Sequence, residues 1–160
     1  MTRIQLLAVD VDGTLVTSED VISAATRAAL HRAREAGVEV AIATGRRYRN
    51  AQGAIGALGL PAPSVCLGGA LVKGGDGRTL HADAFAAPEF RAVASLFRDQ
   101  GHAVLGQRDS HQDGGADFLL DDSVPWNEFT REYYCLLYTS PSPRDCVSTL
   151  VCRLLLENGG

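Results

Sequence analysis

The stretch Ile4-Gln5-Leu6-Leu7-Ala8-Val9-Asp10-Val11-Asp12-Gly13-Thr14 decides the fold. Ile4 to Val9 is almost continuously apolar, too short for a helix, and ends abruptly in two aspartates. Such a run reads as a strand buried on both faces of a parallel sheet. A helix fits the residues that follow, from Ser23 to Ala36. Ser23 is its N-cap, Thr26, Ala29, Leu30 and Ala33 form its apolar stripe, and Gly37 lies just past its end. Val38 to Ala43 repeats the buried-strand pattern.

A second helix fits Tyr48 to Leu58, with Ala51, Ala54, Ile55 and Leu58 on one side and Gly59 closing it. Ser64 to Leu67 is a third short strand. Strand, helix, strand, helix, strand is the pattern of a parallel sheet with right-handed crossovers. Beyond Gly69 the texture changes. Leu71 to Lys73 and Arg78 to Ala82 flank Gly74-Gly75-Asp76-Gly77, a hairpin turn. Pro88 suits the first position of a helix carrying Phe90, Val93, Ala94 and Phe97 on one face and closed by Gly101. His102 to Gly106 and Ala116 to Leu120 are further candidate strands. The fold class expected is therefore α/β, with a Rossmann-like parallel core over residues 1–82 and a different, mixed α/β unit over residues 83–134.

Residues 135–160 form an atypical tail. The first 134 residues hold 22 alanines and the last 26 hold none, while Cys135, Cys146 and Cys152 crowd into that end. Its Ser/Pro string, Tyr138 to Asp145, is foreign in style to the rest. Taken as native sequence, it reads as a loop followed by a short apolar helix from Val147 to Leu156. In either case it is expected to contribute little chemistry.

In 160 residues, 46% apolar and 21% charged, there is material for one real core but not for a second full domain. A net charge of -4 lacks the basic footprint of a nucleic-acid binder, so no nucleic-acid partner is expected. No apolar run reaches the 18 or so residues of a bilayer span, and the start does not read as a signal peptide; the expectation is a cytoplasmic protein with no membrane partner. No cysteine pair has metal-ligand spacing.

In open parallel sheets, ligands bind where the strands end and the helices begin. Asp10 and Asp12 follow the first strand, Thr44-Gly45-Arg46 the second, and Gly68-Gly69 the third, so these groups should meet. Paired carboxylates in one crevice repel unless a hard cation such as Mg²⁺ lies between them. Gly13 frees the backbone for close approach to an anion. A hydroxyl, an unobstructed amide and a guanidinium, from Thr44, Gly45 and Arg46, suit a phosphate. Together these are parts of a metal-assisted phosphoryl-transfer site.

Val9-Asp10-Val11-Asp12-Gly13-Thr14-Leu15 resembles the first motif of the haloacid dehalogenase (HAD) phosphohydrolase superfamily. Ala43-Thr44-Gly45-Arg46 is similar to the second motif of its Cof-like branch. Ile22-Ser23, Arg34 to Gly37, Leu58 to Leu60 and Gly69 to Val72 extend the resemblance, which runs from residue 4 to about 125, densely to Leu80. It implies Asp10 as the nucleophile forming an aspartyl-phosphate and Asp12 as general acid, then base. It also implies Mg²⁺ held by the Asp10 carboxylate and the Asp12 carbonyl, and phosphoryl oxygens held by Thr44 and the Gly45 amide. The resemblance further makes residues 83–134 the start of an α/β cap domain, and Arg46 would contact the phosphate or that cap. The expected substrates are small phosphorylated metabolites, sugar phosphates or phosphorylated cofactors such as flavin or pyridoxal compounds.

Departures from the pattern bear on activity. Gly68-Gly69-Ala70 stands where relatives usually have Asn-Gly-Ala, and the late lysine and acidic motifs of the family have no counterpart. Lys73, the chain's single lysine, comes too early; Gly75-Asp76 reads as turn, and Asp121-Asp122 as cap. The chain is thus expected to be an N-terminal fragment with little activity. Its rivals are a non-catalytic phosphate- or metal-binding fragment, a sucrose-phosphate phosphatase or phosphomutase type of relative and, more remotely, a receiver-type phosphoacceptor. Gly53, Gly56 and Gly59 read as close helix packing, and His31, His81, His102 and His111 as surface residues. Trp126 and Phe129 read as core or cap packing.

Overall fold

The computed structural model describes residues 4–111, 114–120, 123–128 and 130–131, and the backbone of 153–156. The chain divides into two compact units, Met1–Ala82 and Asp83–Gly160.

In the first unit, β1 (Leu6–Asp10), β2 (Glu39–Ala43) and β3 (Ser64–Cys66) run parallel, with Val9 opposite Ile42 and Ile42 opposite Ser64. β4 (Leu71–Lys73) and β5 (Thr79–Ala82) follow antiparallel, giving the sheet order β1-β2-β3-β4-β5. The expected hairpin turn is present: Gly74 donates to the Arg78 carbonyl at 2.9 Å, and Asp76 Oδ1 accepts from the Arg78 amide at 3.0 Å.

Helices α1 (Ala24–Glu35) and α2 (Tyr48–Leu58) connect the parallel strands. Ser23 caps α1 as expected, its hydroxyl accepting from the Thr26 amide at 3.0 Å. Gly59 ends α2 in the left-handed region, φ 68°, which a side chain would resist. Both helices lie over one sheet face, because Leu30 of α1 and Ala54 and Leu58 of α2 share a core with Val40 and Ile42. His31 fastens the helices together: its Nε2 lies 2.9 Å from the Leu58 carbonyl, so it is a half-buried bridge rather than the surface residue expected. His111 is also half-buried, whereas His81 and His102 are exposed.

Two expectations need correction here. Among the described residues β1 lies at the edge of the sheet and is not buried on both faces: Leu6 is 59% exposed, and Ile4 just before it is 71% exposed. Residues in register share a face, so Leu6, Ala8, Ala41, Ala43, Val65 and Val72 lie opposite the helices, and none of them is fully buried. Gly53 and Gly56 are not packing sites either. A Cβ at either would meet nothing within 4 Å, since both lie on the outer side of α2.

In the second unit α3 (Ala87–Asp99) packs Phe90, Val93, Ala94 and Phe97 with Val104. Pro88 is its second residue, and Glu89 accepts the Ala86 amide at 3.1 Å. β6 (Leu105–Arg108) pairs antiparallel with β7 (Phe118–Leu120) and parallel with β8 (Arg153–Leu156). The strand expected at His102 to Gly106 therefore starts later, after His102 has closed α3 by donating its amide to the Phe97 carbonyl. Residues 153–156 are a strand, not the end of a helix, because β6 offers them an open edge. The rest of the expected tail helix, Phe129 and Asp121-Asp122 lie outside the described residues; Trp126 is half-buried.

Candidate active site

Three chain segments end at the carboxyl side of the parallel strands. β1 ends on Asp10, and the chain then turns tightly: the Val11 carbonyl accepts from the amides of Leu15 and Val16, both at 3.1 Å. Gly13, at φ 71°, permits that turn. Val11, Leu15 and Val16 are buried, which fixes the loop to the core while Asp10 and Gly13 face solvent.

β2 delivers Thr44, buried, whose amide donates to the Val65 carbonyl at 2.9 Å. Its Oγ1 accepts from the Arg46 amide at 3.1 Å, leaving its own proton available to an anion. Gly45 is exposed. The third loop is tied to the second through the Leu67 amide, 3.1 Å from the Arg46 carbonyl. Leu67, Gly68 and Gly69 are all left-handed, at φ 56°, 66° and 111°.

The two aspartates have different surroundings. The carboxylate of Asp10 has no hydrogen-bond or ion-pair partner among the described residues. Asp12 is gripped by Arg46: Nε lies 3.0 Å from Oδ2, and Nη2 lies 2.6 Å from Oδ1. The same Nη2 reaches Asp20 Oδ1 at 2.8 Å. The Arg46 side chain is 2% exposed, against 35% for Asp12 and 26% for Asp20. Its hydrogen bonds to Asp12 above all, then those to Asp20, push the guanidinium pKa up against the opposing effect of burial, so it is always charged.

The loops thus bring Asp10, Asp12, Thr44, Gly45 and Arg46 to one side of the sheet, with Arg46 turned toward carboxylates. Asp10 offers a free hard oxygen donor, and Mg²⁺ takes one or two carboxylates plus water. The residues therefore fit this ion through the Asp10 carboxylate, and the hold of Arg46 on the Asp12 carboxylate does not bear on the ligand expected from Asp12, its main-chain carbonyl. Among the described residues no group of three or more His, Cys, Asp or Glu side chains forms a metal site.

Asp20 escaped the sequence reading, since Glu19-Asp20 in a loop of polar residues carries no signal. Lys73 is fully buried, its Nζ 2.8 Å from Thr79 Oγ1 and 5.2 Å from the centre of the Tyr48 ring. It is a strand residue inside the fold, away from solvent.

The first unit is thus a mixed α/β sheet with an acidic loop after its first strand and a Thr-Gly loop after its second. The chain belongs to the haloacid dehalogenase-like hydrolases, whose family pattern it matches over residues 7–112. It is 28% identical over 130 residues to the 5-amino-6-(5-phospho-D-ribitylamino)uracil phosphatase YwtE of Bacillus subtilis, covering 79% of this chain and 36% of that protein. It is 38% identical over 65 residues to the pyridoxal phosphate phosphatase YbhA of Escherichia coli, covering 41% and 24%. Among solved structures it is similar to BT1666 of Bacteroides thetaiotaomicron, a phosphatase of the same superfamily. That likeness has a TM-score of 0.68 at 25% identity, and covers 88% of this chain and 48% of that one. The chain thus spans about a quarter to a third of the length of these curated relatives. No helix among the described residues is long and apolar enough to cross a membrane.

Proposed function

We propose that this chain carries the nucleophile and the acid/base of a Mg²⁺-dependent phosphatase for small phosphorylated metabolites, of the kind named for its relatives: a phosphorylated flavin precursor or pyridoxal phosphate. The observation that carries the reading is the contrast between the two aspartates. A nucleophile must be unencumbered, and Asp10 is exposed and has no partner among the described residues; an acid/base must be oriented, and both oxygens of Asp12 accept from Arg46.

In the first step an Asp10 oxygen attacks phosphorus as the bond to the leaving oxygen breaks, and Asp12, having first taken a proton from solvent on one oxygen while the other still accepts from Arg46, gives that proton to the leaving oxygen. In the second, water attacks phosphorus, Asp12 takes its proton, and the bond to Asp10 breaks to release inorganic phosphate. Thr44, through its hydroxyl, and the Gly45 amide would hold the phosphoryl oxygens during both transfers. Mg²⁺ held by Asp10 would neutralise charge on the phosphoryl group.

Purified chain is assayed with an aryl phosphate and Mg²⁺, beside Asp10→Asn. The expected result is slow, Mg²⁺-dependent turnover that Asp10→Asn abolishes. Turnover that survives Asp10→Asn overturns the nucleophile assignment, and rapid turnover overturns the expectation of a weak enzyme. Complete inactivity with retained binding of inorganic phosphate would instead favour a phosphate-binding role.

A further inference from the structure

Asp20 sits at the tip of a turn in which Thr17 donates its amide to the Val21 carbonyl at 2.9 Å and Asp20 donates to the Thr17 carbonyl at 3.0 Å. Buried Val16 before the turn and Ile22 after it, both 6% exposed, pin it to the core. Asp20 itself adopts φ 61°, one of only two non-glycine residues with positive φ among those described. That backbone is costly for a side chain, though less so for aspartate, and such outliers concentrate where a side chain must be delivered to a fixed place. What this one delivers is a carboxylate oxygen 2.8 Å from Arg46 Nη2.

A guanidinium is a rigid fork on a flexible stem, and one carboxylate does not fix the direction in which it points. Arg46 directly follows the Thr44-Gly45 pair, so a fork released from the carboxylates would be near the anion those residues are suited to hold. Asp20 holds Nη2 from a second side, so that Nε and Nη2 stay on Asp12. We propose that Asp20 is a positioning residue: it commits Arg46 to orienting Asp12 and withholds it from the phosphate. This rests on the phosphatase reading only for the importance of Asp12; the placement of the guanidinium is independent of turnover.

The test is NMR of the arginine Nε–H groups in the full chain, comparing wild type with Asp20→Asn, Asp20→Gly and Asp12→Asn. Asp12→Asn assigns the Arg46 signal. Wild-type Arg46 Nε–H should be resolved and slow to exchange with water. Losing one hydrogen bond to a charged group corresponds to about tenfold or more in the opening equilibrium, so exchange should accelerate by about tenfold in Asp20→Asn and Asp20→Gly. The backbone amide of Ile42 should stay protected. Inorganic phosphate, added as the probe, should then shift the Arg46 signal in Asp20→Gly but not in wild type. If Asp20→Asn loses the protection of Ile42, Asp20→Gly decides, because glycine accepts φ 61° without strain.

A role limited to shaping the turn would alter the amides of Thr17 and Asp20 and leave the Arg46 signal unchanged, which would overturn the proposal. An Arg46 exchange rate within about twofold of wild type in both Asp20 variants would do the same. If the NMR result holds while Asp10-dependent turnover is absent, the phosphatase reading fails and the placement of Arg46 by Asp20 stands.

Discussion

Replacing Arg46 with methionine keeps most of the buried stem and removes the guanidinium. Deleting one member of a buried ion pair costs about 3–5 kcal/mol when the partner is left buried. Here the partners are not fully buried: Asp12 and Asp20 retain 35% and 26% of their side-chain exposure, so both can rehydrate. Relief from desolvating the arginine, whose side chain is only 2% exposed, works in the same direction. The expected loss is therefore about 2 kcal/mol, near a 30-fold change in the local opening equilibrium. Because the chain has two compact units, exchange of the Ile42 amide is a better assay than a global melt. That amide donates to the Pro63 carbonyl at 2.9 Å in the middle of the first unit.

Arg46→Lys should recover only part of the loss, since an ammonium cannot serve both Asp12 oxygens and Asp20 in a fork. The sign of the pH dependence follows from linkage. A cation whose pKa is raised on folding, as for Arg46, contributes stability below its unfolded pKa and loses it only as pH rises through the folded value. Both values lie above the range in which the protein would be handled, so the difference between wild type and Arg46→Met should be flat between about pH 6 and 9. A loss under about 0.5 kcal/mol, the worth of an exposed pair, would refute the claim that this array holds the loops together.

Two further substitutions test how the loops are supported. Gly75→Ala places a Cβ 2.6 Å from the Pro61 carbonyl oxygen, a backbone atom that cannot rotate away, and should cost about 2 kcal/mol, seen as a lower melting temperature. Ser23→Ala removes the acceptor of the Thr26 amide and should cost about 1 kcal/mol in urea unfolding.

Local signals carried most of the first unit's architecture. Apolar runs at residues 4–9 and 38–43, the Ser23 cap and the glycines at 37 and 59 each specify their element through short-range chemistry. β1 has one neighbouring strand, β2, among the described residues, so its apolar side chains are exposed there: apolar composition reports what a strand could bury, whereas its neighbours decide what it does bury. β6 began later than expected because hydropathy does not reveal that the residues after Gly101 first complete the end of α3. In the site, residue types and spacing were enough to bring the aspartates and the Thr-Gly-Arg loop together. They could not say which anion the arginine faces, because that depends on Asp20, and Asp20 is defined by a backbone angle rather than by a motif.

That missing contact changes the electrostatics expected of the chain. A phosphoryl group approaching Asp10 brings negative charge to a carboxylate that has no cationic partner among the described residues. Arg46 is adjacent but bound to Asp12 and Asp20, and Lys73 is fully buried against Thr79 and Tyr48. Each missing electrostatic group in such a site typically costs about 10² to 10³ in rate. The arrangement therefore favours orientation of the acid/base over neutralisation of the phosphate, and makes the proposed reaction depend steeply on an added divalent cation. Hydrogen-bond donors alone, from Thr44 and Gly45, would leave the attacking Asp10 and the phosphoryl oxygens repelling one another.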